Sequence, residues 1–115
     1  MPRNKDIGNK GEVLAEAFFT GKGFQILSKN YRTPYGEIDL IIRNEGEVIF
    51  VEVKTRTNTS FGFGEEGLSI KKIEHMISSA EFYLTEEEST SKEWRIDVLA
   101  ILMDPFRQSS RDGMV

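Results

Sequence analysis

Cysteine is absent from this 115-residue chain, which excludes a disulfide framework and a thiolate metal site. Histidine occurs once, at His75, so it has no second histidine to share a metal with. No apolar run approaches the roughly 18 residues that a membrane-spanning helix requires. The first residues, Met1-Pro2-Arg3-Asn4-Lys5-Asp6, lack the apolar segment of a signal peptide, so a soluble, cytoplasmic protein is expected, with no membrane partner. A basic excess is missing too: the net charge of −4 argues against a general nucleic-acid binder. That charge is uneven. Residues 1–72 carry eleven Lys and Arg against ten acids, whereas residues 73–115 carry four against nine.

What is present suits one compact domain. Hydrophobic residues make up 38% and aromatics 10%, enough for a packed interior at this length. The pattern predicts a domain over residues 1–104 and a flexible tail over 105–115, where Pro105 is followed by a Ser-Arg-Asp-Gly stretch. Residues 8–22 read as an amphipathic helix that buries Val13, Leu14, Ala17 and Phe18 and ends at Gly21-Lys22-Gly23. Residues 24–32 read as a strand, and Pro34-Tyr35-Gly36 as the turn after it. A second helix is predicted over 68–86, with Ile70, Ile73, Ile77, Ala80 and Leu84 on its apolar face, and a last strand over 93–103. Between residues 55 and 67 lies a Thr-, Ser- and Gly-rich loop. The order αβββαβ gives a mixed α/β (α+β) layer fold, a central sheet flanked by helices.

The most telling segment is a pair of runs at residues 36–42 and 48–54, both alternating apolar and charged residues. Arg43-Asn44-Glu45-Gly46-Glu47 joins them as a turn. A two-residue turn at Glu45-Gly46 sets Asp39 opposite Glu52 and Glu37 opposite Lys54. Like charges so placed destabilise a sheet. A divalent cation between Asp39 and Glu52 would remove the conflict, and Lys54 points to the same face.

Asp39 followed by Glu52-Val53-Lys54 on the next strand resembles the PD-(D/E)XK motif of restriction-endonuclease-like nucleases. More closely, Gly36-Glu37-Ile38-Asp39-Leu40-Ile41 with Phe50-Val51-Glu52-Val53-Lys54-Thr55-Arg56 resembles the YraN-like family of predicted endonucleases, itself similar to Holliday-junction resolvases. The match extends to Gly11-Glu12, Leu14-Ala15, Gly23, Asn30, Arg32, Phe61-Gly62, Lys72, Ala80 and Arg95-Ile96-Asp97-Val98. It departs from the motif at Ile38, where a Pro would precede the Asp.

The resemblance implies a restriction-endonuclease-like core and Mg²⁺- or Mn²⁺-dependent hydrolysis of nucleic acid, DNA rather than RNA, structured or branched. It implies catalytic roles for Asp39, Glu52, Lys54 and Glu12. Asp39, Glu52, Glu12 and the Val53 carbonyl would serve as metal ligands, since a hard cation prefers oxygen. Arg56, Lys72 and Arg32 are the candidate nucleic-acid contacts, and a homodimer is left open. Plainer readings stand beside these. Asp39 is also a strand-end acid, Glu52–Lys54 a salt bridge, Glu12 a first-turn acid favoured by the helix dipole, and the three cations a solvated surface. Glu37 pairs with Lys54 in this reading, Phe61 and Phe63 anchor their loop, and Arg95–Asp97 is a structural ion pair. A binding module without turnover, or an interaction protein using the acidic second half, are the alternatives to a nuclease.

Overall fold

The computed structural model describes residues 4–56, 69–91 and 93–102, with the side chains of residues 4–9 and 56 left aside. Helix α1 (Asn4–Gly21) precedes β1 (Gln25–Thr33), β2 (Gly36–Asn44) and β3 (Glu47–Arg56). Helix α2 (Ile70–Glu86) and strand β4 (Glu93–Leu102) follow. The order αβββαβ is as the pattern predicts. The strands form one mixed sheet ordered β1-β2-β3-β4, antiparallel except for the parallel pair β3–β4. The architecture is compatible with a restriction-endonuclease-like core. Strand β3 runs on through Thr55 and Arg56, where a loop was expected. The rest of that loop, with Phe61 and Phe63, and the 105–115 tail lie outside the described residues.

The turns follow from residue chemistry. Glu45 and Gly46 both have positive φ, 51° and 90°, as a two-residue hairpin of the twist-matching kind requires. At the β1–β2 turn the Thr33 hydroxyl accepts the Tyr35 N–H at 3.0 Å and donates to the Gly36 carbonyl at 2.9 Å. Helix α2 starts at Ser69, whose hydroxyl accepts the Lys72 N–H at 3.1 Å.

Each face of the sheet carries one helix. Ala15 and Phe19 of α1 pack on Leu40, Ile42, Ile49 and Val51. Ala80 and Tyr83 of α2 pack on Ile38, Ile41, Val48 and Phe50, with Tyr83 edge-on to both Tyr31 and Phe50. Both helices are rotated from the faces that their hydrophobic residues suggest. Val13, Leu14 and Phe18 are 67%, 49% and 46% exposed, and Gly11, Ala15 and Phe19 are buried instead.

Close approach and polar anchoring explain the rotation of α1. A Cβ on Gly11 would overlap the Thr55 hydroxyl of β3, so only glycine lets the helix sit this near the sheet. Glu12 and Glu16, on the same side, reach Asn30 and Lys29 of β1 at 3.2 and 3.4 Å. In α2 the buried set is Met76, Ser79, Ala80 and Tyr83, and Ile70, Ile73 and Ile77 are exposed. Ser79 exchanges a 2.8 Å hydrogen bond with Thr33, tying α2 to the β1–β2 turn.

Candidate active site

The β2–β3 register is the one the Glu45-Gly46 turn dictates, through Asn44↔Glu47, Ile42↔Ile49 and Leu40↔Val51. There the ladder stops, and the expected face-to-face pair of Asp39 and Glu52 does not form. Residues two apart on a regular strand point to one face. Yet Leu40 and Ile42 face α1 while Ile38 and Ile41 face α2, so β2 changes face across Asp39. Strand β1 changes in step: Asn30 has φ 51°, and the pairs Lys29↔Leu40 and Tyr31↔Ile38 bracket it. Asparagine is among the few residues that adopt this left-handed conformation readily.

The switch aims Asp39 at β3. Its Oδ2 accepts the Val53 N–H at 2.7 Å, a short charge-assisted bond in the place of the next ladder bond. Glu52 itself is 6% exposed and is held by two lysines. Lys72 Nζ of α2 lies 3.2 Å from Glu52 Oε2, and Lys54 Nζ lies 3.7 Å from the same oxygen. Burying a carboxylate without such partners is costly. Burial raises the Asp39 carboxyl to about pKa 6. The Val53 N–H opposes that shift, the charges of Glu52 and Glu12 add to it, and Lys72 opposes it.

Four of the candidate residues are therefore brought together: Asp39, Glu52, Lys54 and Lys72, with Glu12 close enough to act on Asp39. Glu12 faces β1 because α1 is rotated from its apolar stripe. Its Oε1 accepts the Asn30 side-chain N–H at 3.2 Å. Lys54 pairs with Glu52 rather than with Glu37. Glu37 instead meets Arg32 at 3.6 Å, where the Arg32 side chain is 89% exposed. The side chain of Arg56 lies outside the described set. Arg95 is a structural ion-pair residue as expected, donating to Asp97 at 3.0 Å and also to Glu47 at 2.7 Å.

The donors around Asp39 are all hard oxygens. Among the described residues no three of His, Cys, Asp and Glu come together in a group that could hold a metal ion by themselves. Two carboxylates and a backbone carbonyl suit a cation that keeps several waters, as Mg²⁺ does. Three residues escaped sequence reasoning in the roles they take here. Asn30 orients Glu12, Gly11 sets the depth of α1, and Lys72 partners a carboxylate rather than standing free for phosphate. The left-handed tolerance of asparagine was the available signal for Asn30. Lys72 gave none, because its contact spans two elements.

Lys72, the partner of Glu52, also lines a cleft of about 160 Å³ with Tyr35, Glu37, His75, Met76 and Ser79. His75 is exposed on α2. Among the described residues, no helix is long and apolar enough to cross a membrane.

Comparison with known proteins places the chain. Residues 11–101 match the model of UPF0102, an uncharacterised protein family. A UPF0102 protein of Chloroherpeton thalassium is 38% identical over 96% of this chain and 85% of its own length. One from Dictyoglomus turgidum is 40% identical over 89% of this chain and 86% of its own. One from Clostridioides difficile is 41% identical over 87% and 88%. The crystal structure of a protein of unknown function, AF1548, matches with a TM-score of 0.39 at 18% identity, over 90% of this chain and 53% of that one. That likeness carries no argument. With its whole motif region inside the matched span, the chain belongs to UPF0102, the family of the YraN-like resemblance.

Proposed function

We propose that the chain is a cytoplasmic, metal-dependent nuclease that hydrolyses phosphodiester bonds of structured or branched DNA. One observation carries the reading: Asp39, desolvated and bonded to the Val53 N–H, lies beside the buried Glu52, which two lysines hold. A fold gains nothing in stability by desolvating neighbouring carboxylates. A carboxylate perturbed by burial next to specific charged partners, as Asp39 is, is characteristic of functional sites.

In this reading Asp39, Glu52 and the Val53 carbonyl would hold Mg²⁺ or Mn²⁺, and Glu12, held by Asn30, would act on Asp39 through its charge. When bound, the cation supplies charge neutralisation at the phosphoryl oxygens and a more acidic water. Lys54 orients the attacking water and offsets charge that builds on the phosphate. Arg32, Lys72 and Arg56 position the strand through its phosphates. Asn30 fixes Glu12, and Val53 fixes Asp39, so neither acid swings freely.

A nucleic-acid-binding module without turnover is the second reading. It is favoured by the lysines on Glu52, which already balance that charge with no cation bound. Cleavage of branched and linear DNA with Mg²⁺ or Mn²⁺, beside a Glu52→Gln control, tests both. The nuclease reading expects cutting by the unmutated protein and a loss of at least about a hundredfold in the variant. Binding without cutting, in every metal, overturns it.

A further inference from the structure

Lys72 belongs to two environments at once. Its ammonium meets Glu52 Oε2 at 3.2 Å, closer than Lys54 at 3.7 Å. The same residue lines the polar cleft with Tyr35, Glu37 and His75. Its side chain is 42% exposed, so it is neither packed in place nor barred from moving toward solvent. Lys54 is more enclosed, at 26%, and shares its strand with Glu52. An ammonium and a divalent cation are both drawn to one carboxylate oxygen, and their like charges exclude close cohabitation.

We propose that Lys72 is the resident counterion of this site, competing with a divalent cation for Glu52 and, once displaced, binding a phosphate of the strand in the adjoining cleft. This rests on the reading of Asp39 and Glu52 as cation ligands. In the metal-free protein Lys72 is the nearer ammonium partner of Glu52. When Glu52 exchanges its ammonium partner for the cation, Lys72 is left with its charge unpaired next to open space. A phosphate oxygen is the acceptor that a nucleic-acid substrate brings there. Metal and strand binding are then linked through one side chain: each makes the other more favourable. Lys72 is thus a positioning residue for the metal and a contact residue for the substrate.

The test is Mn²⁺ titration by calorimetry at about pH 7.5, where free carboxylates are ionised, on the unmutated full chain, Lys72→Met and Lys71→Met. Lys71 carries the same charge one position away and is exposed on α2, so it reports general electrostatics. Lys72→Met is expected to bind Mn²⁺ at least about tenfold more tightly, because an opposite charge within about 4–6 Å is worth that much or more to a carboxylate. Lys71→Met should change the affinity less than about twofold at physiological salt, where exposed charges are screened. The gain must vanish in Glu52→Gln/Lys72→Met. A short DNA strand should tighten Mn²⁺ binding to the unmutated protein and not to Lys72→Met. Equal Mn²⁺ affinities for Lys72→Met and the unmutated chain, or equal gains from the two lysine variants, overturn the competition while leaving the cation site standing. If none of the variants nor the unmutated protein binds Mn²⁺, the cation reading itself fails. A far-ultraviolet melt of each variant confirms that a lost signal is not an unfolded chain.

Discussion

Asp39 accepts the backbone N–H of Val53 at 2.7 Å, so a side chain closes the gap where the β2–β3 ladder ends. This single bond ties the acid to the strand that carries Glu52 and Lys54. It also fixes where the two strands begin to part.

Asp39→Asn should stabilise the metal-free protein and abolish its pH dependence near mild acidity. The amide keeps an acceptor oxygen for Val53 and removes the desolvated charge. Because burial raises the folded-state carboxyl from 3.8 to about 6, the folded chain holds a proton that the unfolded chain has released between these values. Stability is therefore highest, for this group, below the unfolded value, and it falls as pH rises to about 6. The cost at neutral pH is on the order of 1–2 kcal/mol after allowance for the partial exposure of the group. Urea melts at several pH values, on both proteins without metal, check this: parallel curves would mean that Asp39 titrates alike in the folded and unfolded chains, and a wild-type advantage growing with pH would mean that the acid is stabilising.

Gly11→Ala should destabilise the fold by about 1–3 kcal/mol even though alanine favours a helix. Its methyl would overlap the Thr55 hydroxyl, and the rest of that threonine stands too near to make room by rotation. Adding Thr55→Ala should recover much of the loss. A melting temperature unchanged by Gly11→Ala alone would mean that α1 does not sit this close to β3.

Lys54→Ala should not weaken Mn²⁺ binding, since it removes a cation 3.7 Å from Glu52 Oε2, while reducing cleavage about a hundredfold, the scale of one lost transition-state contact. Lys72 remains as the ion-pair partner of Glu52 in that variant. Titration and cleavage on one preparation separate binding from turnover. Undiminished cleavage would reduce Lys54 to a salt-bridge partner of Glu52.

Strands and their register were legible because alternation and turn chemistry are local. Glu45-Gly46 alone sets the pairing as far as Leu40↔Val51. The helix faces were not. Val13, Leu14 and Phe18 are the more hydrophobic stripe, but burial is decided by Gly11 against Thr55 and by two glutamates finding partners on β1. Those partners are distant in sequence. Likewise the charges at positions 39 and 52 announced a site, but their arrangement depends on a face change shared by Asn30 and Asp39. A period-two pattern assumes that such changes do not occur.

The parallel pair β3–β4 also sets an order of events in time. The first three strands are joined by two-residue turns, so their pairing closes only short loops. Docking β4 joins Glu47 to Glu93 and must close nearly half the chain. Contacts of that range form late and slow a folding rate. Asp39, Glu52 and Lys54 all lie on the early meander, whereas α2, which brings Lys72, belongs to the late crossover. A chain caught partway would thus hold the acids before their second lysine arrives. Under the proposed counterion role of Lys72, that is the interval in which a divalent ion would meet the least competition at Glu52.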